Sequence, residues 1–198
     1  MSIHPIPIST VALEQTCDTL QQLLSMTSQE LFNQHCLTLL DWSDDSGALA
    51  DEADAGGEYT VACGLYAISY RLAGTSKLLA DVALQAGEAA QGSATRPARA
   101  AMKRAVRWRC AKPVPVTQTL QHYRSALKAL AQQLQHPCGA ELLNGTYDLQ
   151  VLLEHPKVMS HKACHAALMQ IQESLSDLAD HLYETASQLE AHAVMILH

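Results

Sequence analysis

Basic residues are missing from the front of this chain: no Lys or Arg precedes Arg71, while ten acids, from Glu14 to Glu58, stand in that stretch. The other ten acids face all 13 bases, so a formal charge of −7 divides into an acidic front and a mildly basic back. Such segregation predicts either internal pairing or two partner surfaces of opposite sign. Aromatic residues are scarce as well, with one Phe and two Trp in 198 residues. That scarcity argues against an all-β fold and leaves a core of aliphatic side chains with good helix propensity. No apolar run reaches the roughly 18 residues of a membrane span, and residues 1–8 lack the basic start and apolar stretch of a secretory signal. The chain is therefore read as a soluble, unprocessed, cytoplasmic protein. Its six cysteines lie far apart with no CxxC pair, which fits buried thiols in a reducing compartment better than disulfides. There is no GxSxG, no P-loop and no GxGxxG, so the sequence points to neither an enzyme nor a cofactor.

What the chain does have is helical periodicity. Ser9 and Thr10 offer an N-cap, and Leu13, Cys17, Leu20 and Leu24 recur at steps of four, three and four, which predicts a first helix. Thr27 followed by Glu30 is a capping-box pattern that opens a second helix and makes an N-terminal helical hairpin with the first. Val61, Leu65, Ile68, Leu72, Thr75, Leu79, Val82 and Ala86 keep one register straight through Gly74. They predict a long helix over about 59–90. Leu120, Tyr123, Leu127, Leu130 and Leu134 repeat the pattern, and a minor helical piece is expected over 147–154, stopped by Pro156. Leu168, Ile171, Leu175, Leu178, Leu182, Leu189 and Ile196 mark a second long helix over about 160–197, with polar Thr185 and His192 at two seam positions. The expected fold is one all-α domain over 1–198, an antiparallel helical bundle with coiled-coil-like seams, preceded by an extended segment at 1–9.

Three stretches carry candidate chemistry. Residues 41–57, rich in Asp, Ser, Ala and Gly, are expected to form an acidic loop. Asp41, Ser43, Asp45 and Glu52 fit four positions of an EF-hand frame there, but Ser46 stands where the frame needs its glycine. Residues 96–112 hold seven of the 13 bases. On a helix they form a basic amphipathic face, with Arg99, Lys103, Arg104, Arg107 and Trp108 as partner-binding residues. The pI of 5.7 and the absence of any nucleic-acid-binding motif weigh against nucleic acid, so an acidic protein surface is the partner this face fits first, ahead of acidic lipid. Finally, His161, Cys164 and His165 sit at i, i+3 and i+4, a spacing that could hold a metal, although the Glu-x-x-His pairs of helical-bundle metal sites are missing.

The first residues, with Ile3, Pro5 and Pro7 and no acid until Glu14, resemble in composition the signals of bacterial type III secretion. The resemblance implies export without a cleaved signal peptide and is confined to the N-terminus. The functional expectation is a non-enzymatic helical-bundle protein that binds another protein or a second copy of itself, as adaptor, regulator or assembly subunit. Metal binding and anionic-ligand binding through residues 96–112 are the alternatives.

Overall fold

The computed structural model describes residues 10–91 and 116–195. The basic stretch 96–112, with Arg99, Lys103, Arg104, Arg107 and Trp108, and the segment 1–9 lie outside the described residues. Every regular element described is helical: α1 (Thr10–Glu30), α2 (Leu37–Ala55), α3 (Tyr59–Ala90), α4 (Val116–Gln133), α5 (Ala140–Leu153), the single turn α6 (Pro156–Ser160) and α7 (Lys162–Met195). None of them is long and apolar enough to cross a membrane.

The all-α antiparallel bundle is present, and its N-terminal hairpin turns at a different place from the one Thr27 and Glu30 suggest. Between α1 and α2 the backbone stays helical and passes through one wide turn, Leu31–Cys36. Thr27 is buried and Ser28 donates its hydroxyl to the Ala83 carbonyl of α3 at 2.7 Å. These residues make helix-to-helix contacts where the sequence reads as a cap. The reversal comes at Gly56 and Gly57, where Gly57 takes a φ of 77° and the Glu58 amide donates back to the Ala53 carbonyl. A left-handed glycine after the last helical turn is the common way to end a helix and turn the chain.

Residues 41–55 are therefore helix, and the expected acidic loop 41–57 shrinks to its last two residues. Asp41, Asp44, Asp45, Asp51, Glu52 and Asp54 lie on the solvated side of α2. Its inner side is Leu39, Ser43, Ser46 and Ala50, all buried against α3. Small side chains let two helix backbones approach closely, and the Ser43 hydroxyl donates to the Ser69 carbonyl at 2.9 Å. Packing of this kind needs little apolar surface per residue, so a composition that reads as loop folds as helix. The EF-hand frame disappears with the loop, since Ser43 faces the core.

α3 lies along α1 and α2, α7 lies along α4 and α5, and α3 also meets α4 and α5. The seams of both long helices close inside the molecule: Leu65, Ile68, Leu72 and Leu79 of α3, and Leu168, Leu175, Leu182 and Leu189 of α7, are almost wholly buried. Among the described residues, the last helix leaves no leucine seam over for a partner; Ile196 lies outside them. At its start the expected helix from 160 is interrupted, because His161 leaves helical backbone and becomes the cap of α7, its carbonyl accepting from the His165 amide.

α5 extends seven residues ahead of the expected minor piece at 147–154. Gly145 lies inside this helix, where a Cβ would be in ordinary contact with Arg71 Cδ at 3.4 Å, and Arg71 bridges Glu141 at 2.7 Å and Asp148 at 2.9 Å on either side of it. Gly64 makes the closer approach, since a Cβ there would lie 2.7 Å from Leu152 Cδ2, whereas Gly74 faces open space.

Candidate metal centre

Glu30 is the last residue of α1, and His35 follows it by five. On an ideal α-helix five residues turn the side chain about 140° away, so the two would diverge. The wide turn Leu31–Cys36 closes i→i+5, and in that geometry residue i+5 returns over residue i. His35 is thereby brought beside Glu30. His181, on the middle of α7, reaches the same place from across the bundle. Its Nε2 is 2.9 Å from Glu30 Oε1, and His35 Nε2 is 3.9 Å from the same oxygen. One ligand atom from each of the three lies within 4.8 Å of the others, and no other set of three metal-ligating side chains among the described residues does this.

Those distances suit an ion. Donors bound to one tetrahedral zinc at about 2.0–2.1 Å are about 3.4 Å apart, between the two separations found here. Two imidazoles and one carboxylate form a donor set for a borderline divalent transition ion, zinc above all, rather than for calcium or magnesium, which take oxygen.

The electrostatics prepare the site in the same sense. His35 is only 16% exposed, and its Nε2 is buried with no hydrogen-bond partner. Burial lowers its pKa below 6.5, the neighbouring His181 lowers it further, and Glu30 opposes both. A neutral imidazole with a free ring nitrogen is what a metal requires. The His35 and His181 rings stand 5.2 Å apart, tilted by 56°. Without an ion the Glu30 carboxylate accepts a hydrogen bond from the His181 ring, so a metal would take the place of that proton. α1 and α7 are not among the closely packed helix pairs, and the gap between them opens as a depression of about 330 Å³ beside Glu30 and His181, with Leu23, Thr27, Glu184, Gln188 and Leu189 in its wall.

The residues singled out by spacing are distributed differently. His161 is exposed, Cys164 and His165 are half-buried, and their donor atoms do not gather into a three-ligand group. His161 and Cys164 line a second depression, also about 330 Å³, together with Glu52, Val158 and the Glu58–Lys157 ion pair. Burial, and after it the Glu52 charge, pushes the Cys164 thiol up. A raised thiol holds its proton and is a poor ligand and nucleophile.

Local spacing, which points to His161, Cys164 and His165, misses Glu30, His35 and His181. The two partners of the Glu30–His181 contact are 151 residues apart, and His35 joins them only through a wide turn that no residue type announces. Compared with protein-family models, curated proteins and solved structures, the chain matches none.

Proposed function

We propose that this protein is a metal-binding helical bundle that holds a borderline divalent ion such as Zn²⁺ between the α1–α2 rod and α7, on Glu30, His35 and His181. The observation that carries the reading is the buried His35 Nε2, which has no hydrogen-bond partner and lies 3.9 Å from Glu30 Oε1, in a group of three residues whose ligand atoms are within 4.8 Å of one another. A buried polar atom without a partner is costly, and bound metal relieves that cost. Elemental analysis of protein purified without a histidine tag tests it. One equivalent of metal per wild-type chain and none in His181→Ala is the expected result; a metal-free wild type that also takes up no added Zn²⁺ contradicts it.

A second reading, interaction with another protein, is supported by the outer face of α5. Leu143, Tyr147 and Val151 follow one another at steps of four, and they are 45%, 70% and 55% exposed. Such a stripe is the form of a helix-to-partner contact. The basic residues Arg99, Lys103, Arg104 and Arg107, with Trp108 beside them in sequence, belong to this reading as a second contact for an acidic partner.

A further inference from the structure

Where the three ligands sit determines what a bound ion could do, a step that rests on the metal reading. His35 presents its nitrogen from the interior and does not line the depression, whereas Glu30 and His181 form part of the depression's wall. An ion held by the three therefore sits at the base of an open cavity. No fourth His, Cys, Asp or Glu among the described residues joins the group. A site with three protein ligands and an open side is built like those that admit water or an external ligand, and unlike closed structural sites with four. The cavity of about 330 Å³ falls at the small end of ligand pockets, which run from roughly 300 Å³ upward. Leu23 and Leu189 give it apolar wall, and Thr27, Glu184 and Gln188 give it polar groups.

We propose that this cavity is a small-molecule site in which the ion takes, as its outer ligand, a compact nitrogen donor that is uncharged or carries one positive charge. The sign follows from the charges. A divalent ion is offset by the carboxylates of Glu30 and Glu184, so the pocket offers an anion no net positive field. A neutral nitrogen donor coordinates without opposing Glu184, and a cationic tail on the same molecule gains that carboxylate as a partner. The apolar body rests on Leu23 and Leu189.

Cobalt(II) makes the open position visible, because its absorption changes when an outer ligand is exchanged. The full chain loaded with Co²⁺ is titrated with imidazole, histamine and acetate. Imidazole and histamine are expected to change the spectrum saturably, histamine binding at least about tenfold more tightly than acetate. In Glu184→Gln the histamine affinity should fall several-fold while imidazole is unchanged. Bound cobalt whose spectrum none of the three ligands alters, or acetate binding as tightly as histamine, overturns the proposal and leaves the metal site standing. Failure of Co²⁺ to bind at all removes both together.

Discussion

Asp45 separates the helical account of residues 41–55 from the loop that their composition suggests. It is exposed, it touches no ligand group, and it lies mid-way along α2, Leu37–Ala55. A proline there has no amide to donate and its ring meets the Asp41 carbonyl one turn earlier, at a cost of about 3 kcal/mol or more. Ser43 and Ser46, two residues before and one after, are buried against α3, so a kink would also disturb their contact. For a chain of 198 residues, at roughly 2–4 °C per kcal/mol, Asp45→Pro should lower the melting temperature by roughly 6–12 °C. Asp45→Ala is the control, since alanine is the better helix former by up to about 0.7 kcal/mol and should raise the melting temperature slightly. Thermal unfolding followed by far-ultraviolet circular dichroism reads both. A proline variant melting within about 1 °C of wild type, as a compatible loop position allows, would refute a helical α2.

Two further outcomes follow from burial. Cys36 and Cys138 are buried, and desolvation pushes both thiols up to about 11. At pH 8 a maleimide should label the exposed Cys63 of the folded protein while these two stay unlabelled until denaturant is added, as mass mapping would show; labelling of Cys138 as fast as Cys63 contradicts the packing described. If the α5 stripe is a protein contact, a partner captured from native lysate by the wild type should be lost with Tyr147→Ser, and equal capture by the variant would dismiss that face.

The helices were legible wherever large aliphatic side chains mark the seam. Leu65, Ile68, Leu72 and Leu79 place α3 within its observed limits, and the Leu168-to-Leu189 series places α7, because these buried positions are strongly apolar and recur in one register. Legibility failed where burial is achieved by small residues. Ser43, Ser46 and Ala50 bury one face of α2 with hardly any hydrophobic signal, and the start of α5, ahead of the expected 147–154, holds Gly145 against Arg71. The hairpin turn was misplaced for a related reason: Thr27 and Glu30 have the types of a capping box, yet one is packed in the core and the other faces the candidate metal site. The site itself has no local spacing to read. Its geometry arises from a wide turn and from a bundle that brings α7 back across α1, both products of tertiary packing.

The central claim is a metal held by Glu30, His35 and His181, and the linkage between binding and stability tests it most directly. A ligand that binds only the folded chain, supplied at 100 times its dissociation constant, adds about 2.7 kcal/mol, which here corresponds to a rise of roughly 5–11 °C in melting temperature. Chelator-treated protein melted with and without saturating Zn²⁺ should show that rise in the wild type and in His165→Ala, and should lose it in His35→Ala and His181→Ala. A wild type that Zn²⁺ does not stabilise, or a stabilisation that survives both His35→Ala and His181→Ala and disappears in His165→Ala, would contradict the account.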